Sequence, residues 1–133
     1  MSKTKKGSNA TFTGTGKAFS FIDDRLFAYS GAVAIDNNET AVIESQTGKG
    51  YTVAQFTPVY FDTSSSDDVV YKVYFNNLQV YGTVVNGATS ETPFQTTPLL
   101  IPPLTLVKVE AYNRTDTSTL NLGAIITGRV YYG

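Results

Sequence analysis

The sequence predicts an all-β protein: an antiparallel, eight-stranded, jelly-roll-like β-sandwich preceded by an extended N-terminal arm. Three observations lead there. From Phe19 onward Val, Ile, Thr, Tyr and Phe are abundant, while methionine occurs once in the chain; such residues suit a pleated, half-buried surface. No window sustains apolar residues at i, i+3, i+4 and i+7, the spacing of an amphipathic helix. Short alternating segments are separated by clusters of Asn, Asp, Gly and Ser, which is turn chemistry.

The arm spans residues 1–18, "MSKTKKGSNATFTGTGKA", and the body residues 19–133. The arm has few apolar anchors, so it cannot fold alone. Residues 1–20 carry Lys3, Lys5, Lys6 and Lys17 without an acid, whereas residues 21–133 carry six basic and eleven acidic side chains. A basic arm therefore precedes an acidic body, and such an arm can contact nucleic acid, an acidic protein surface or only water.

Along the body, strands are predicted at Leu26–Ala28, Gly31–Asp36, Ala41–Thr47 and Tyr51–Phe61, divided by "DNNE", "TGKG" and "TSSSDD". In "VVYKVYF", Val69, Tyr71, Val73 and Phe75 share one face and Lys72 and Tyr74 the other, the period of two that marks a half-buried strand. "FNN" then turns the chain into a strand over Leu78–Val85, and "VNGATS" ends it. Further on, Val107, Val109 and Ala111 oppose Lys108, Glu110 and Tyr112. In the last strand Leu120, Leu122, Ala124, Ile126 and Val130 oppose Ile125, Thr127, Arg129 and Tyr131. Eight short antiparallel strands in one domain fit a double-sheet jelly roll or a related sandwich.

Three of the five prolines, Pro98, Pro102 and Pro103, fall in "TPLLIPPLTLVKVEAYN". Proline donates no ladder hydrogen bond and holds its predecessor extended, so this segment is predicted to carry the chain between sheets unpaired until Leu104. Leu99, Leu100 and Ile101 are then either a plug at one end of the sandwich or an anchor for a partner.

Composition narrows the chemistry. There is no cysteine and no histidine, which removes disulfides, thiolate ligands and the usual imidazole base. "GTGKA", Gly14–Ala18, fails the phosphate loop: Thr11 stands where the first glycine belongs, and Ala18 where Ser or Thr belongs. It fails the dinucleotide fingerprint too, with Phe19 at the third glycine. No serine sits in a Gly-x-Ser-x-Gly turn, so no enzymatic activity and no cofactor are expected. Asp23-Asp24 and Asp67-Asp68 could offer oxygens to calcium, yet neither lies in a D-x-[DN]-x-[DN]-G run, and they are read as solvated turns. The triplets at Asn9, Asn38 and Asn113 match a glycosylation acceptor but are common in a Thr-rich chain. No apolar run reaches the roughly 20 residues of a membrane span, and no hydrophobic core follows "MSKTKK". A soluble protein without a membrane role is expected. Nine tyrosines and eight phenylalanines accompany no tryptophan, which suits a protein interface better than a sugar platform.

The "PLLIPPLTLVKVEAYNRT" segment, the turn-rich short strands and the ending "TLNLGAIITGRVYYG" resemble the small single-jelly-roll cement or decoration (minor capsid) proteins of tailed bacteriophages, over about Gly31–Gly133. The resemblance implies a virion protein, made in the host cytoplasm, that binds the outside of a shell built from a different major capsid protein and bridges its subunits. It also implies a homo-oligomer, dimer or trimer. On that reading Lys3, Lys5, Lys6, Phe12, Lys17 and Phe19 of the arm contact the shell, and Leu99, Leu100, Ile101, Tyr112 and Tyr131 offer further interface. Direct nucleic-acid contact is not expected, because four arm lysines without arginine neutralise few phosphates. Alternatives are a shell-forming jelly roll with an inward arm, and a fibre-type receptor- or carbohydrate-binding module.

Overall fold

A computed structural model describes residues 18–62, 65–86 and 96–132. Its elements are ten strands: β1 (Ser20–Ile22), β2 (Arg25–Tyr29), β3 (Val33–Ile35), β4 (Thr40–Gln46), β5 (Tyr51–Tyr60), β6 (Asp68–Phe75), β7 (Leu78–Asn86), β8 (Thr97–Ile101), β9 (Leu106–Asn113) and β10 (Leu120–Tyr131). They form two antiparallel sheets, and no helix occurs among the described residues. Sheet A has the order β1-β2-β10-β5-β8 with β3 also on β10; sheet B has the order β4-β9-β6-β7.

The sheets are held apart by the inward half of each alternation. Leu26, Ala28, Phe56, Leu122, Ala124 and Ile126 from sheet A meet Ile43, Val69, Tyr71, Val73, Val107 and Val109 from sheet B in one buried cluster. Each large aliphatic side chain removed from water contributes about 1.5–3 kcal/mol. Tyr71 is buried with them, because its hydroxyl donates to the Val59 carbonyl at 2.8 Å; the phenol's pKa is pushed far up by that burial. Val42 and Ile43 are consecutive yet both buried, the signature of the bulge in the β4–β9 ladder.

Ten strands replace the expected eight because two were missed. Ser20–Ile22 is a three-residue edge strand on β2, too short to show alternation. Thr97–Ile101 was expected to remain unpaired, but it pairs with Thr52–Phe56 of β5. Pro98 is tolerated because β8 is an edge strand, with β5 on one side only. Alternation also divides the leucine segment: Leu99 and Ile101 join the core, whereas Leu100 is 64% exposed on the outer face.

Pro58 stands in β5, a central strand, and is tolerated by the same logic. Its partner Ala124 uses both backbone groups on β2's side: Ser30 N donates to the Ala124 carbonyl at 3.1 Å, and Ala124 N donates to Ser30 Oγ at 2.8 Å. The missing N–H of Pro58 thus faces the β8 side, where pairing has ended at Phe56. Ser30 also marks the break that divides one β10-facing strand into β2 and β3. The chain turns at Gly31, φ 69°, and the serine hydroxyl accepts the Ala124 N–H where β2's backbone leaves the ladder.

The edges of both sheets are blunted. β1 is three residues long, β8 carries Pro98, and β4 has its bulge and Glu44. In β7, Gln79 and Tyr81 pair with consecutive β6 residues, so Val80 bulges out. The β6–β7 hairpin turns through Asn76 and Asn77, at φ 53° and 68°, the pair of left-handed residues that a two-residue hairpin needs.

Candidate interaction surface

The two outer faces differ in chemistry. On sheet B, β6 and β9 project Lys72, Tyr74, Lys108, Glu110 and Tyr112, which register places side by side. Lys72 Nζ lies 3.1 Å from Glu39 Oε2 and Lys108 Nζ 3.5 Å from Glu110 Oε2. Each lysine also covers a ring, Lys72 that of Tyr112 at 5.4 Å and Lys108 that of Tyr74 at 5.6 Å. Burial, then the hydrogen bond to Glu39, pushes the Glu110 carboxyl up, while that same hydrogen bond chiefly holds Glu39 down. On β6 and β9 cations, anions and rings are satisfied by one another, while Val80 and Val84 of the edge strand β7 stay exposed.

Sheet A presents the opposite. Its outer positions form cross-strand rows: Arg25, Arg129, Val53 and Leu100; then Phe27, Thr127, Gln55 and Pro98; then Tyr29, Ile125 and Thr57. Phe27 and Tyr29 touch at 5.6 Å between ring centres, and Tyr51 stacks on Tyr131 at 5.4 Å. Ile22, Tyr29, Tyr51, Val53, Leu100 and Tyr131 are all exposed. An open groove of about 630 Å³ runs between β1's end and these residues, bounded by Ile22, Arg25, Phe27, Tyr29, Val53, Arg129 and Tyr131.

The groove is bordered by two arginines and by the acids of the β1–β2 turn, Asp23 and Asp24. Arg25 and Arg129 are direct cross-strand partners, an arrangement that repels. One carboxylate serves both: Asp24 Oδ2 lies 3.1 Å from Arg129 Nε, and Asp24 Oδ1 lies 3.8 Å from Arg25 Nε. The Asp24 carbonyl is pinned by Val130 N at 2.7 Å, so the turn after β1 positions the bridging acid. Two guanidiniums share one anion beside an apolar floor.

The sequence-predicted site residues fall in different places. Lys3, Lys5, Lys6, Phe12 and Lys17 lie outside the described residues. Phe19 is 8% exposed and packs in the core, its N–H donating to Ser45 Oγ at 3.1 Å. Leu99 and Ile101 are likewise buried, which leaves Leu100 as the surface residue of that trio. Tyr112 is half-buried under Lys72 on sheet B, and Tyr131 is exposed on sheet A. Sequence reasoning missed Ile22, Arg25, Phe27, Tyr29, Val53 and Arg129. The available signal was "RLFAY": apolar residues on both faces of β2, which an ordinary half-solvated antiparallel strand does not have.

Among the described residues no three acidic side chains gather so as to hold a metal ion. Asp67 and Asp116 are instead drawn together by the buried Asn113 amide, which donates to them at 3.0 and 3.2 Å and closes the β9–β10 loop. No known protein family matches this chain, and neither does any curated protein.

Proposed function

We propose that this chain is a virion structural protein, a capsid cement or decoration protein that binds the outside of a major capsid shell and bridges neighbouring subunits, acting by binding and not by catalysis. The carrying observation is the outer face of sheet A, an exposed apolar and aromatic surface around an open groove bordered by Arg25 and Arg129. Monomers rarely leave such a patch bare unless a partner covers it. The strand order supports the jelly-roll part of this reading. With β2 and β3 taken as one broken strand and β1 as an addition, four strands (β2/β3, β10, β5, β8) face four (β4, β9, β6, β7), and the chain crosses repeatedly between them.

In this role many modest contacts add up, because copies repeat around a symmetric shell. The basic arm, with Lys3, Lys5, Lys6 and Lys17, extends the reach to a neighbouring shell subunit, and the protein works as a dimer or trimer on the capsid exterior. The test is addition of purified protein to shells that lack it. Val53→Thr combined with Leu100→Thr keeps a strand-compatible cross-strand pair, so it should change stability by less than about 1 kcal/mol yet weaken decoration at least tenfold. Equal decoration by the double variant would reject sheet A as the interface. The aromatic groove favours one second reading, a fibre-type receptor- or carbohydrate-binding module, and saturable hits on a glycan array would select it.

A further inference from the structure

The β8–β9 connection holds one residue in a conformation its side chain does not suit. Leu104 lies at φ 53°, in the left-handed region. Among the described residues the other non-glycine ones there are Asp23, Asn76 and Asn77, types whose short polar side chains tolerate it. For a bulky aliphatic residue the conformation is disfavoured by roughly tenfold in population, and glycine would make the same turn without that cost.

The surroundings force the turn. Pro102 and Pro103 fix their own φ angles. Leu104 N donates to the Gly48 carbonyl at 2.7 Å, and Thr47 N to the Thr105 carbonyl at 2.9 Å. The buried Thr47 hydroxyl donates to the Pro102 carbonyl at 3.2 Å and accepts from Thr105 N at 2.9 Å. All this ordering ends in a leucine whose side chain is not used by the core, since Leu104 is 60% exposed. Strain that the surroundings over-determine clusters at functional sites.

The neighbourhood tells what such a residue would meet. The supporting loop, Gly48–Gly50, carries the exposed Lys49, which has no ion pair among the described residues, and neither this loop nor "PPLT" contains an acid. The ring of Tyr132, 76% exposed, lies over Gly50, where an added Cβ would come 3.1 Å from it.

We propose that Leu104 is a pre-aimed apolar knob that inserts into a recess on a folded partner protein, with carboxylates at the rim to meet Lys49. A fluid bilayer accepts a leucine pointing in any direction, so fixing its direction at a cost fits a shaped, rigid recess. The partner's identity as a capsid shell rests on the function proposed above; the knob itself rests on the turn.

The experiment compares wild type, Leu104→Asn and Leu104→Met for thermal stability and for binding to shells that lack the protein. Asparagine tolerates the turn but removes the knob, so L104N should melt about 3 °C higher and bind at least tenfold more weakly. L104M keeps an apolar side chain and should match wild type in both. An L104N protein that binds as tightly as wild type, or melts no higher, overturns the inference and leaves the cement role standing. Wild-type protein that adds to no shell rejects the cement role and this partner with it. Flotation of wild type, but not L104N, with phosphatidylserine–phosphatidylcholine vesicles would assign the knob to a membrane and overturn the inference as well.

Discussion

Glu110 sits at the most finely balanced point on the molecule. Its carboxyl is pushed up by burial first and by the hydrogen bond to Glu39 second, so its contribution to stability is full below the ordinary value of 4.5 and is lost as pH rises through the raised value. Glu39 runs the other way: it is held down chiefly by that hydrogen bond, so its contribution is present above 4.5 and is lost as pH falls through the depressed value. Glu110→Gln keeps a donor for Glu39 without a titrating proton. Its melting temperature relative to wild type should therefore rise between pH 4 and pH 7, by about 2 °C at the upper end; a parallel pair of curves would show that the two carboxyls do not share a proton. Alternation on β6 and β9 made these residues readable as outward-facing. Their pairing was not readable, because Glu39 lies in the loop before β4 and reaches Lys72 from 33 positions away.

At the scale of elements, β8 carries the clearest consequence. Because its residues alternate between core and outer face, Ile101→Asp should cost about 4 kcal/mol by placing an unpaired charge among buried side chains, a loss that urea denaturation would measure, with folding retained on Leu100→Asp. Equal losses would mean the β5–β8 register is displaced by one residue. β6, β9 and β10 were legible in the sequence because each alternates over at least six residues with one apolar face. β8 was not, since proline argues against a strand wherever both neighbours are present, and only tertiary placement at an edge lifts that objection. β1 was hidden by length, and Gly31, read as the start of a strand, instead lies at φ 69° in the break between β2 and β3. Gly123 in β10 shows a further limit: an added Cβ would stand 2.4 Å from the Gly31 carbonyl oxygen, a spacing requirement that periodicity does not reveal.

For the whole molecule, charge and apolar surface are distributed unequally. The ends of β3, β5 and β9 bring Asp36, Asp62, Asp67, Asp68 and Asp116 to one end of the sandwich, with Arg114 paired to Asp68 at 3.1 Å. The opposite end and the sheet A face carry Lys49, Arg25 and Arg129 together with Asp23 and Asp24, beside exposed leucine and tyrosine. Attachment to shells should accordingly weaken as salt is raised from 50 to 500 mM, and removal of residues 1–17 should flatten that dependence while leaving the melting temperature of the body unchanged; a salt-insensitive attachment would remove electrostatics from the recognition. Charge asymmetry between arm and body was visible in the sequence. The polarity of the folded body was not, because it depends on which loops the topology gathers at each end. The blunted sheet edges bear on how the protein tolerates abundance. A proline, a charged bulged strand, a three-residue stub and a second bulge leave little straight backbone for a neighbour to zip onto, so copies crowded together resist open-ended growth into fibrils.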